Sequence, residues 1–374
     1  MYQDKTYRNL FAECGHGGAA ILEKLDGAWR DLFYGTEDTR IYYPVGNDTG
    51  YILDTGNLDA RTEGMSYGMM MCVQMDKKDE FDRLWKWAHT YMRLTEGKYA
   101  GYFAWSVSSD GAKLSDGPAP DGEEYFAMAL LFASHRWGDG PPPFDYGNQA
   151  RVLLRECVHK GGAEHPEWAM WNGENKLIKF VPSSTFTDPS YHLPHFCRLF
   201  AEFGDPRDRE FWLQAEQNSR EYIVKACHPE TGLAAEYAEY DGTPRHNEGH
   251  GRFFSDAYRV AGNIGLDYEW FGPFPAERMI ANNIQRFFGQ TDGGETVWRQ
   301  YEADGTPAVE CDYFHANGLL AMNAMASLAA DGPLAKRYAE KLWNLPLRTG
   351  VRRYYDNCLH FFALLALGGR YRIW

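Results

Sequence analysis

The chain has 374 residues, 38 Lys and Arg against 52 Asp and Glu, a formal charge of −14 and 16% aromatic residues. Such acidity, with no basic stripe, excludes the phosphate-reading surface of a nucleic-acid binder and disfavours an anionic membrane surface. No apolar run reaches bilayer-spanning length and no basic, apolar leader precedes Tyr2 to Asn9, so an unexported, cytoplasmic chain is expected.

Seven cysteines (Cys14, Cys72, Cys157, Cys197, Cys227, Cys311, Cys358) form no CxxC pair, and an odd number cannot close into a disulfide set, so reduced thiols are expected. Many of the 12 Trp and 24 Tyr lie in polar, glycine-containing loops. Aromatic rings exposed beside carboxylates suit sugars, whose C–H faces stack on them.

In chain order, helical patterns alternate with breaks. A first helix is predicted over 18–33, then pairs at 63–75 with 79–94, 121–137 with 146–159, and 188–203 with 208–226. Further helices follow at 255–265 with 276–288 and 314–330 with 334–343, and a last one at 354–367. The last has no successor, so its natural partner is the first. The helix after each long loop is the more apolar of its pair. Six hairpins whose ends meet close most simply into a single domain over residues 1–374, an (α/α)6 barrel of six inner and six outer helices.

Long loops over 95–120, 160–187, 227–253 and 289–312 then enter inner helices on one face. The starts of those helices carry Glu63, Asp121, Asp188 with Tyr191, Asp256, His315, and Tyr354 with Tyr355 and Asp356. Asp121 reads as the N-cap of a helix buried on most sides, with Glu123 and Glu124 in its first turn presenting a carboxylate-rich end. Acidic residues cap helices in any protein, so each has a purely structural alternative. Their coincidence with aromatic loops favours one ring around a central cleft.

Glu63, between Arg61 and a methionine-rich inner helix, is placed where partial burial favours its protonated form, as a general acid requires. Asp256, after Phe253 and Phe254 at another helix start, is the candidate second carboxylate. Two carboxyls in an aromatic cleft fit glycoside hydrolysis, with capping and salt bridging as the alternative. The triplets Asp48-Thr49-Gly50 and Asp54-Thr55-Gly56 resemble aspartic-protease signatures but lie too close together in a helical chain. His246 and His250 have metal-like spacing in a glycine-containing loop rather than a helix, so no metal and no cofactor are expected. His192 and His195 read as helix-start hydrogen-bonding groups, and Met69 to Met71 as core.

Over nearly its whole length the chain resembles glycoside hydrolase family 8, and within it the reducing-end xylose-releasing exo-oligoxylanases. The resemblance is carried by YYPVGNDTGYILDTGNLDARTEGMSYGMMM, GYFAW, APDGEEYFAMALLFASHRWGDG, DPSYHLPHF, FFSDAYRVAGNIGLDYEWFG and RTGVRRYYDNCL. Ala119, Asp121, Gly122, Glu123, Ala127, Ala129, Ala133 and Trp137 fit the family's helix signature, with Pro120 where Ser or Thr is usual and Glu123 where Asp is usual.

The resemblance implies an (α/α)6 barrel and an inverting mechanism on β-1,4-linked sugars. It makes Glu63 the general acid, Asp256 the general base, Tyr191 a holder of the attacking water and Asp121 the group that binds and distorts the sugar. Trp105 resembles a stacking platform on the nonreducing side, Arg61 a hydroxyl contact, and Tyr354 and Tyr355 join the substrate-binding set. Similar enzymes close the cleft with a Leu-His-Pro loop that reads the terminal anomeric hydroxyl, and here Phe314-His315-Ala316 keeps the histidine without the proline. A xylo-oligosaccharide substrate and a monomeric chain are expected. The alternatives are an endo-acting xylanase or β-1,4-glucanase, a sugar epimerase of the same fold, and a noncatalytic carbohydrate-binding protein.

Overall fold

The computed structural model describes residue 2 and residues 4–290, 299–310 and 314–374. Cys311 and part of the 289–312 loop lie outside the described residues.

The inner helices are α3 (Thr62–Met75), α5 (Pro120–Trp137), α7 (Pro194–Phe203), α9 (Tyr258–Phe271), α11 (Ala316–Met325) and α13 (Arg353–Leu367). Each packs on the next, and α13 returns to α3 to close the ring. Outside them lie α2 (Gly18–Tyr34), α4 (Lys78–Trp87), α6 (Tyr146–His159), α8 (Arg209–Ala226), α10 (Pro275–Gln290) and α12 (Leu334–Asn344). Helix α2 is the outer partner of α13, so the two ends of the chain share one hairpin and the expected (α/α)6 barrel is formed.

Burial explains which helix goes inside. Every residue of α13 is buried, as is all of α5 from Pro120 to Ala133, whereas α6 and α8 bury only one stripe. Helices without a polar face have nowhere to go except the barrel interior. Met69, Met70 and Met71 are fully buried there, as core.

Helix boundaries depart from the sequence pattern where proline or a tertiary partner intervenes. Pro194 occupies the first turn of α7, so the chain over Pro189–Tyr191 forms a separate 3-10 turn instead of the start of a helix at Asp188. The N-cap of α5 is Ala119, with Pro120 at its first position, and Asp121 lies one residue inside. Glu123 and Glu124 turn into the core rather than toward the mouth. Helix α9 runs on to Phe271, and a short helix α1 (Leu10–Glu13), absent from the sequence pattern, precedes α2.

Among the described residues three antiparallel strand pairs also have no counterpart in the sequence reading: β1 (Tyr42–Val45) with β2 (Thr49–Ile52), β3 (Asp59–Arg61) with β4 (Ser106–Ser108), and β5 (Arg299–Tyr301) with β6 (Pro307–Glu310). The pairing of β3 with β4 matters for the site. It sets Arg61 opposite Ser106, and Thr62 N donates to Trp105 O at 3.0 Å, placing the GYFAW loop beside the start of α3.

Two glycines let inner helix starts approach closely. A Cβ on Gly122 would sit 2.4 Å from Thr62 Cβ, and one on Gly64 would sit 2.6 Å from the Tyr354 ring. Without those side chains α5 and α13 press against the first turn of α3, on either side of Glu63. Among the described residues no helix is long and apolar enough to cross a membrane.

Candidate active site

The barrel mouth holds two adjoining cavities that share Arg61, Glu63 and Asp256. The larger, about 900 Å³, adds Trp105, Asp121, Tyr191, Phe180 and Tyr237. The smaller, about 550 Å³, adds His315, Tyr354, Tyr355, Asp54 and Arg352. The nine residues given catalytic or substrate-binding roles therefore line one continuous cleft, with the two candidate carboxyls where its halves meet, whereas Asp188 and Asp356, fully buried, line neither cavity.

One buried cation organises the carboxyls. Arg259 Nη1 donates to Glu63 Oε2 at 3.1 Å, to Asp121 Oδ2 at 3.0 Å and to the Tyr67 hydroxyl at 3.0 Å. Its Nη2 lies 3.4 Å from Asp256 Oδ1 and 3.9 Å from Asp188 Oδ2. A rigid fork with several donors in one plane can serve carboxyls arriving from different helices, which a point charge cannot.

Four carboxyls around one guanidinium cannot all ionise cheaply. Burial pushes Glu63 up to about 7; Asp121 and Asp256 push the same way and Arg259 opposes them. The Tyr354 hydroxyl, 2.7 Å from Glu63 Oε1, favours the ionised form. Glu63 thus holds a proton near neutrality while its side chain keeps 17% of its surface open to the cleft. Asp121 is raised by burial and by Asp256, and Asp188 is raised further by the same two causes. Asp256 is the most open of the four, its side chain 34% exposed.

Each remaining side chain is held by its own element. Asp188 Oδ1 accepts from Ser190 N at 2.7 Å and so caps the 3-10 turn that delivers Tyr191, whose ring lies under the Arg259 guanidinium at 5.5 Å. Arg61 pairs with Asp54 at 3.2 Å and Asp59 at 3.1 Å, and stands 5.4 Å from the Trp105 ring centre. Trp105 is 40% exposed, an open ring face on the wall of the larger cavity. The Tyr355 hydroxyl donates to Ser255 O at 3.0 Å, steadying the turn that bears Asp256. His315 Nδ1 lies 3.0 Å from Asp356 Oδ2, an oxygen that also takes Arg348, so the ring is oriented from behind.

Residues 46–369 match the family model described as glycosyl hydrolases family 8. The chain belongs to glycoside hydrolase family 8. Over 378 residues this family 8 chain is 57% identical to the reducing-end xylose-releasing exo-oligoxylanase Rex8A of Paenibacillus barcinonensis, covering 100% of this chain and 98% of that one. Over 377 residues it is 58% identical to the reducing end xylose-releasing exo-oligoxylanase of Halalkalibacterium halodurans, covering 100% and 96%. A crystal structure of a reducing end xylose-releasing exo-oligoxylanase superposes with a TM-score of 0.96 at 62% identity, over 100% of this chain and 97% of that one.

The family 8 cleft also contains groups the sequence pattern passed over. Arg259 is the foremost, and its only signal is a lone cation in the apolar start of α9, three residues after Asp256. Phe180 and Tyr237, ring centres 4.3 Å apart, extend the aromatic wall from two separate loops. Asp54 of the second Asp-Thr-Gly triplet accepts from Gly56 N at 2.9 Å and Asn57 Nδ2 at 2.7 Å, shaping a cleft loop. His192 meets Thr187 and Ser219 as expected, whereas both ring nitrogens of His195 have no hydrogen-bond partner among the described residues. Among those residues no group of three or more His, Cys, Asp or Glu is arranged to hold a metal ion.

Proposed function

We propose that this enzyme hydrolyses β-1,4-linked xylo-oligosaccharides with inversion, releasing xylose from the reducing end. The observation that carries the reading is the placement of Glu63 and Asp256 on different nitrogens of one guanidinium at the junction of two cavities. Glu63, half protonated near pH 7, gives its proton to the leaving glycosidic oxygen. Asp256, more open to solvent, takes a proton from a water that attacks the anomeric carbon from the opposite face. The new sugar end is then the α-anomer. Inversion needs the two carboxyls about 6.5–9.5 Å apart, so that this water fits between acid and base.

Tyr191 orients the water, and Asp121 binds the sugar being cut and favours its distorted ring. In the larger cavity Trp105 and Arg61 receive the nonreducing portion. In the smaller, Tyr354, Tyr355 and His315 hold the single xylose that leaves, with His315 reading its anomeric hydroxyl. The relatives named above, which release xylose from reducing ends, support this direction. An epimerase would need paired basic groups at the sugar, and the groups that face this cleft's centre are carboxyls.

Residues 1–374 act as one catalytic domain, since α2 and α13, near the two ends of the chain, complete the same ring. The six described cysteines, all free, accord with the cytoplasm and with imported oligomers as substrate. Fractionation tests the location, and light scattering tests the expected monomer. The deciding experiment follows early products from xylotriose and xylotetraose labelled at the reducing end, with NMR of the new sugar end. Labelled xylose with an α-anomer at the new end is expected. Labelled xylobiose or mixed fragments would transfer the chain to the endo-acting reading, in which the cleft stays open past His315.

A further inference from the structure

Asp256 sits at the second position of the 3-10 turn Ser255–Ala257, and this turn has no side-chain cap of its own. The first N–H groups of such a turn lack partners within it, and a buried donor left alone is costly. The Asp256 N–H finds its acceptor elsewhere: Glu236 Oε1, 3.4 Å away, on a loop twenty residues earlier. Glu236 is itself buried, only 5% exposed. Its other oxygen, Oε2, lies 2.9 Å from His250 Nδ1.

The two loops are also laced along their backbones. Glu236 N donates to Arg252 O and Tyr237 N to His250 O, each at 2.9 Å. Tyr237, whose ring lines the larger cavity, stacks on His250 with ring centres 4.4 Å apart and planes at 27°. Thus His250, in the loop whose spacing suggested a metal site, holds a carboxyl that in turn holds the backbone of the base.

We propose that Glu236, steadied by His250, is a positioning residue for the general base: it caps from outside the turn that carries Asp256. Its carboxyl lines neither cavity of the cleft. It sets the height and direction of Asp256 against the attacking water. Misplacing a reacting group by about 1 Å can cost on the order of 10²-fold in rate, so loss of the cap is read in turnover rather than in affinity.

The inference rests on the assignment of Asp256 as base, so the test begins with Asp256→Ala. Retained turnover there removes that assignment whatever Glu236 does. With Asp256→Ala inactive, Glu236→Ala is expected to lower kcat on xylotetraose by about 10- to 100-fold with KM within about threefold. Glu236→Gln, whose amide oxygen still accepts from Asp256 N, is expected to recover most of that loss. A folded Glu236→Ala enzyme with kcat within twofold of the parent overturns the proposal. A loss confined to KM, or equal losses in the Ala and Gln variants, also overturns it. Should Glu236→Ala not fold, His250→Ala at a half-exposed position takes its place, with at least a threefold fall in kcat expected and an unchanged kcat overturning the proposal.

Discussion

Arg259 Nη1 stands 3.1 Å from Glu63 Oε2, tying the first turn of α9 to the first turn of α3. The same nitrogen reaches Asp121, so a single side chain of α9 meets carboxyls from two other inner helices, α3 and α5. Arg259→Met leaves those carboxyls buried without their cation. Removing one partner of a buried ion pair costs about 3–5 kcal/mol, so a fall in Tm and near-complete loss of turnover are expected. Arg259→Lys restores charge but not the fork, and its kcat should stay at least about tenfold below the parent. A Lys variant with parental kcat would show that charge alone suffices.

Glu63→Ala and Asp256→Ala remove proton-transfer assistance in the transition state. Each is expected to lower turnover on xylo-oligosaccharides by about 10²–10⁴-fold with the circular dichroism spectrum unchanged. Tyr191→Phe should be milder, since it loosens the water and leaves the base. Near-parental turnover in either folded carboxyl variant would remove the assignment.

The pH profile reports on Glu63, which works as an acid only while protonated. With its pKa raised by burial to about 7, kcat/KM should fall about tenfold per pH unit on the alkaline side. Tyr354 donates to the ionised carboxylate and holds the pKa down, so Tyr354→Phe should move that alkaline limb to higher pH. A limb that stays in place or moves lower would show that Glu63 does not govern it.

Stability should depend on pH through three buried histidines. Burial lowers His192 to about 3, His195 to about 4 and His360 to about 3, while the unfolded chain titrates near 6.5. Between these values the unfolded state binds more protons than the folded one. Their contribution is therefore complete above about pH 6.5 and is lost progressively as pH falls, for His195 toward about 4 and for His192 and His360 toward about 3. His195→Leu, against Phe196 and Trp270, removes one of these protons, and its Tm at pH 5 should lie closer to its Tm at pH 8 than in the parent. Buried Glu277 works in the opposite sense. Burial and Asp267 raise it to about 11, so its contribution is complete below about pH 4 and lost as pH rises toward 11.

Local and periodic features were legible along the chain. Helix α6 runs over Tyr146–His159 as its apolar stripe indicates, and the break at Asp76 is real, with that residue in the left-handed conformation. The missing polar face of α5 marked it as an inner helix, and acidic residues at the helix starts that follow long loops marked the mouth. Asp121 was misread as an N-cap because a capping acid and a buried acid look alike until Pro120 is seen to occupy the first turn.

Helix periodicity and burial depend on near neighbours, so the hairpin count and the residue types at the helix starts were legible in the chain. What those residues do to one another was set by the fold. Arg259 meets Glu63 across 196 positions of chain, β3 finds β4 beyond the whole of α3 and α4, and Glu236 caps the turn of Asp256 from another loop. Such pairings depend on distances in space, and a carboxyl's proton affinity depends on the desolvation and charge that those distances set.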